Sequence, residues 1–142
     1  MLNYASKKGE FMKQMVLQEK YPVFVLDVEK TETHYKTAAE IIEFFKEKIN
    51  AHPVCTYIGE FDHYAHTKSL PEGEINPEIK DCKLVLFCFG NKLPNGKIPA
   101  ARPRSISVTE YNDKFEIAFL EAPALIANEV MEGWVKELKK AL

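Results

Sequence analysis

Apolar and polar residues recur along this chain with two periods, and the switches between them mark out its elements. Phe11, Met12, Met15 and Val16 share one helical face over residues 6–20, and Tyr21-Pro22 discourages continuation, which predicts a short amphipathic helix. Residues 23–28 form a β-branched apolar run that reads as a strand. Thr37-Ala38-Ala39-Glu40 is a capping-box pattern, and behind it Ala38, Ile41, Ile42, Phe45 and Ile49 repeat at helical spacing until Asn50 and Pro53. Residues 54–66 are rich in β-branched and aromatic side chains and predict a second strand, with Gly59 a candidate bulge. Residues 67–81 are polar with Pro71, Gly73 and Pro77, hence a loop.

Residues 84–89 are apolar at every position, as in a central strand covered on both faces or on one face plus a partner chain. A long loop follows over residues 90–103, with turn chemistry at Pro94-Asn95-Gly96. Ile106 and Val108 then alternate with Ser105, Ser107 and Thr109, and Phe115, Ile117 and Phe119 alternate with Glu116 and Ala118. Asn112-Asp113 between the two runs tolerates positive φ, which predicts a two-residue β-hairpin. Pro123 opens a last helix whose expected buried stripe is Leu125, Ile126, Val130, Trp134 and Leu138, with Lys136, Lys139 and Lys140 suiting its C-terminal end. A closing hairpin demands antiparallel pairing. The expectation is therefore a single α+β domain over residues 1–142, a two-layer sandwich. It has a mainly antiparallel sheet of about five strands, one capped central helix, and helices at the N- and C-termini, residues 1–22 being a helical extension.

Composition narrows the function classes. A length of 142 residues, 46% apolar and 28% charged, is ordinary for one globular domain, and a net charge of −2 argues against a general nucleic-acid binder. No apolar run is long enough for a membrane span and the N-terminus lacks a signal-peptide pattern, so a cytoplasmic protein is expected. Cys55, Cys82 and Cys88 are an odd count without Cys-x-x-Cys spacing, most simply reduced thiols. Signatures of serine hydrolases, dinucleotide-binding folds and phosphate loops are absent from the sequence, and no cofactor is expected.

One local charge imbalance stands out. Residues 82–109 contain no Asp or Glu but hold Lys83, Lys92, Lys97, Arg102 and Arg104, five of the chain's 19 cationic residues and both of its arginines. A guanidinium fork suits carboxylates and phosphates, and Gly90-Asn91 leaving a strand can turn backbone N–H groups toward an anion. Gly90, Asn91, Lys92, Lys97, Arg102 and Arg104 are accordingly the candidate ligand-binding residues. The plainer alternative is a solvated cluster, or one that pairs with acidic residues across a dimer.

Two further constellations carry chemistry. Asp62, His63 and His66, with His52 as a possible fourth member, are a donor set for zinc or non-haem iron, or an acid/base pair, although on a regular strand His63 and His66 point to opposite faces. The plainer alternative is a hydrogen-bonded histidine at a strand end, and no metal is expected. Cys82, beside Lys83 at a loop boundary, is the candidate nucleophilic thiol, whereas Cys88 and Cys55 lie within apolar strands.

The order of strand, capped helix, strand ending in Phe61-Asp62-His63-Tyr64-Ala65-His66, loop, apolar strand ending in Phe89-Gly90-Asn91, long loop and hairpin resembles the bacterial and archaeal family catalogued as domain of unknown function 302. The resemblance covers roughly residues 23–127. It implies a compact two-layer α+β fold that pairs into homodimers and implies no established reaction; an association of some members with sulfur metabolism would make Cys82 a candidate sulfur carrier. The chain departs from the family's pattern after Phe-Gly-Asn, where Lys92 replaces a proline and Gly96-Lys97 replaces Gly-Thr. Three function classes follow: a non-catalytic module binding a small anionic ligand near the 90–104 loop and the Asp62-His63 strand end, an enzyme or sulfur carrier using Asp62, His63 or Cys82, and a structural or protein-interaction dimer.

Overall fold

A computed structural model describes residues 12–140. The chain forms β1 (Lys13–Leu17), β2 (Tyr21–Glu29), α1 (Ala38–Ala51), β3 (Cys55–Asp62), α2 (His63–Ser69), β4 (Asp81–Phe89), β5 (Arg104–Glu110), β6 (Lys114–Leu120) and α3 (Leu125–Lys136). All six strands join one antiparallel sheet in the order β1-β2-β6-β5-β4-β3. The α+β class is as expected, with one strand more than the sequence predicts.

That extra strand replaces the expected N-terminal helix. Residues 13–17 pair with β2 through a turn in which Gln18 and Glu19 both take positive φ, 50° and 63°. The remainder of the expected helix, residues 6–11, lies outside the described residues. By contrast the Asn112-Asp113 hairpin forms as expected, closed by the Tyr111 N–H donating to Lys114 O at 2.8 Å, but without positive φ at either residue.

Register places the core on one side of the sheet. Phe24 faces Phe119, Val28 faces Phe115, Val108 faces Ile117 and Val85 faces Ile106, and all eight are buried. Because side chains alternate across a strand, Leu84, Leu86 and Cys88 lie on the opposite face, where they are only half-buried. Of the two arrangements expected for this strand, coverage of both faces within the chain is not found: one face is covered and the other half-buried.

α1 packs Ala38, Ile41, Ile42, Phe45 and Ile49 onto the core, as predicted. Its capping box is complete: Thr37 Oγ1 accepts from the Glu40 N–H at 3.2 Å and Glu40 Oε1 accepts from the Thr37 N–H at 3.1 Å. The terminal helix forms but is rotated from the expected orientation. Its buried side is Ala127, Asn128, Met131, Glu132, Trp134 and Val135, while Leu125 and Ile126 are exposed. The two buried polar residues serve backbone that has left the sheet. Asn128 accepts from the Ala122 N–H at 2.7 Å and donates to Ala122 O at 2.9 Å, and Glu132 accepts from the Met12 N–H at 2.8 Å. No helix among the described residues is long and apolar enough to cross a membrane.

Candidate functional site

The sequence candidates separate to opposite ends of the sheet. β3 ends at Asp62, which pairs with Lys83 near the start of β4, whereas Phe89 at the other end of β4 pairs with Cys55. Six residues of strand, about 20 Å at the usual rise, lie between the Asp62-His63 junction and the start of the basic loop. Within one chain the two groups therefore do not form a single site.

At the Asp62 end, the chain turns into α2 where a continuing strand was expected. Asp62 is its N-cap, with Oδ1 accepting from the Ala65 N–H at 2.9 Å and Oδ2 accepting from Lys83 Nζ at 3.0 Å. The Ala65 amide first, and then Lys83, hold this carboxyl below its usual pKa. An ion-paired, capped carboxylate with a lowered pKa is a weak proton acceptor. Burial works to lower the Lys83 pKa, but its bonds to Asp62 and Asp81 outweigh that and raise it. The helix brings His63 and His66 together, as a strand would not, with ring centroids 6.0 Å apart and Phe61 beside both. His63 Nδ1 lies 3.0 Å from Thr67 Oγ1. No group of three metal-ligating side chains gathers among the described residues. His52 is not near this pair; it caps the far end of α1.

Cys82 stands apart from the other two thiols, which lie near one another on the adjacent strands β3 and β4. Cys82 Sγ lies 3.4 Å from Thr109 Oγ1 on the half-buried sheet face. Burial first, with Cys88 contributing, pushes the Cys55 thiol up to about 11, so Cys55 is protonated at neutral pH.

At the other end, the basic loop and the N-terminus of α3 enclose a pocket of about 250 Å³. Its polar lining comes from His52, Asn91, Arg102 and Arg104, and its apolar lining includes Val54, Phe89, Ile98, Ala122 and Ile126. Three of these polar groups are fixed by identifiable contacts, those of His52, Arg102 and Arg104. Arg104 opens β5 in register with Phe87, on the core face, and is only 7% exposed. Its guanidinium donates to Ala101 O at 3.1 Å and to Leu120 O, while Nε–H has no partner. Burial lowers its pKa from the usual guanidinium value. Arg102 donates from Nη1 to Lys92 O at 2.7 Å, and its guanidinium lies over Gly90, so close that a Cβ built there meets Nη2 at 2.7 Å. The glycine, at φ +124°, thus makes room for the arginine. Its own N–H is donated to Val54 O at 2.9 Å and is not free to bind an anion as the sequence suggested.

Neither arginine forms an ion pair with a carboxylate among the described residues. Glu121 lines the adjoining groove, which Arg104 and Lys97 also line, without pairing with either. Lys92 is exposed and contributes only its carbonyl. Of the five basic residues, Lys83 sits at the far end of β4 and two reach the pocket.

Two contributors were not placed here by the sequence reading, which grouped His52 with His63 and His66 and did not single out the start of α3. His52 ends α1 with its ring 5.0 Å from Phe89 and 6.2 Å from Trp134, and its Nδ1 accepts from the Val54 N–H at 3.3 Å. That bond leaves Nε2 as the protonated nitrogen, a donor. The N-cap of α3 is Ala124, which has no capping side chain, so the first-turn amides carry their partial positive charge beside the pocket. A Ser, Thr, Asp or Asn at position 124 would have capped the helix; its absence was the available signal.

No curated protein and no solved structure matches the chain. The resemblance to domain of unknown function 302 is not confirmed. Residues 12–140, the span that folds into the sheet, its two core helices and the pocket, match the family of unknown function DUF6858, and the chain belongs to that family.

Proposed function

We propose that the protein is a module that binds a small anionic ligand in the pocket between the 90–104 loop and the N-terminus of α3. One observation carries this reading: Arg104 is a buried guanidinium, 7% exposed, with no carboxylate partner among the described residues. Burying an uncompensated charge costs several kcal/mol in general, and proteins rarely leave one unpaired. An anion seated beside it removes that cost. The surroundings support the same sign of ligand, since His52 Nε2–H, Arg102 and the first turn of α3 are all donors, and Asn91 alone offers both roles.

The test is titration calorimetry with sodium acetate and sodium phosphate on three proteins. Arg104→Lys keeps a charge but loses the fork, and its affinity is expected to fall by about tenfold. Arg102→Ala removes an arginine at the loop surface and costs about threefold. Equal affinity in all three proteins removes the arginines, and with them the reading.

A further inference from the structure

Resting on the anion-binding reading, we infer that the ligand is a small monocarboxylic acid with a short apolar tail. Charge sets the head group. One buried guanidinium is balanced by one negative charge, and two of its five N–H groups are already donated, to Ala101 O and Leu120 O. No lysine lines this pocket, and the Gly90 N–H that could have begun a phosphate-binding nest is donated to Val54 O. The second charge of a phosphate would have only Arg102, at the loop surface, to balance it, whereas a carboxylate is matched by the one buried guanidinium and a helix N-terminus.

Apolar lining sets the tail. Val54, Phe89, Ile98, Ala122 and Ile126 make no polar contact with an inorganic anion and would stay wet around one. Ile126 is 59% exposed and Leu125 before it is exposed too, while Ala127 and Asn128 after it are buried, which leaves the Ile126 side chain free to cover a ligand. A pocket of about 250 Å³, open on one side, has room for a carboxylate and a short apolar chain.

The experiment titrates the whole chain with sodium hexanoate, acetate, hexanamide, inorganic phosphate and N-acetylglycyl-valine, read by calorimetry and by backbone amide shifts of residues 124–127. Hexanoate is expected to bind about tenfold tighter than acetate through its added methylenes, and hexanamide not at all. In Ile126→Ala, an exposed substitution that leaves the core intact, hexanoate weakens by about threefold and acetate is unchanged. Phosphate binding more tightly than hexanoate overturns the carboxylate assignment and leaves the anion-binding reading standing. Tighter binding of the acetylated dipeptide overturns the free acid in favour of a chain terminus. Silence from every anion at about 10 mM overturns both readings.

Discussion

Arg104 was legible as an inward-facing residue. Ile106 and Val108 mark the core face of β5, and the same alternation carried two residues back reaches position 104. A charged residue discourages that step, because buried guanidinium groups are rare. The reach of its side chain to Ala101 O and Leu120 O depends on where the loop and the end of β6 meet, which no local pattern encodes. Gly90 is the converse case: its place after the strand was evident, but the reason, the guanidinium of Arg102 lying across it, needs the fold. Gly90→Ala therefore tests the loop. The added Cβ meets the flexible end of Arg102, which can shift, so the backbone at φ +124° decides the outcome. The variant is expected to lose roughly 1–3 kcal/mol in urea unfolding and to release Arg102 from Lys92 O. A midpoint equal to wild type would show that the loop tolerates a side chain and that the arginine is not held there.

The elements read correctly are those whose local signals agree with their packing. In α1 the capping box, the apolar stripe and the buried face coincide. β1 carries contrary signals: Met12, Met15 and Val16 have helical spacing, and its turn uses Gln18 and Glu19 in a left-handed conformation that Asn or Gly normally announces. In α2 the aromatic run suggested strand, while the Asp62 cap, three residues before the Ala65 amide, was the overlooked helix start. α3 was turned by its polar residues, since a purely apolar stripe leaves Asn128 and Glu132 outside, yet both are inside satisfying Ala122 and Met12. Glu132 gives this element a pH dependence. Burial raises its pKa, against the Met12 N–H bond and Lys136, which lower it, and with Glu129, which adds to the rise. A carboxyl that holds its proton more tightly when folded costs stability above its folded pKa, and the cost disappears as pH falls toward the unfolded value. Glu132→Gln keeps an acceptor for Met12 and is expected to be about 1 kcal/mol more stable than wild type at pH 7. That advantage shrinks through the acid range above the ordinary glutamate pKa, as followed by thermal unfolding between pH 4 and 7. A constant difference across that range would mean the carboxylate is not the source.

At the scale of the whole molecule, the sheet holds two groups of functional-looking residues apart. β4 links them, with Lys83 bonded to Asp62 at one end and Phe89 beside the pocket at the other. Residue types alone grouped His52 with His63 and His66 and joined the basic loop to the Asp62 strand end, because composition carries no information about which end of a strand a loop occupies. Antiparallel topology supplies it: the connection from β3 to β4 runs at the Asp62 end, so the loop from β4 to β5 must lie at the other. The separation predicts energetic independence. Asp62→Ala removes the α2 cap and the Lys83 partner and is expected to cost about 1 kcal/mol of stability. It should leave carboxylate affinity at the pocket unchanged, because screened charges about 20 Å apart interact negligibly. Combined with Arg104→Lys, its effect on stability should add to within about 0.5 kcal/mol, as for sites without shared partners. A double-mutant cycle on urea unfolding, with hexanoate titrated into each of the four proteins, measures both quantities. A coupling well above that limit, or an affinity that moves with Asp62, would require the sheet to transmit strain along β4. The two ends would then have to be treated as one site after all.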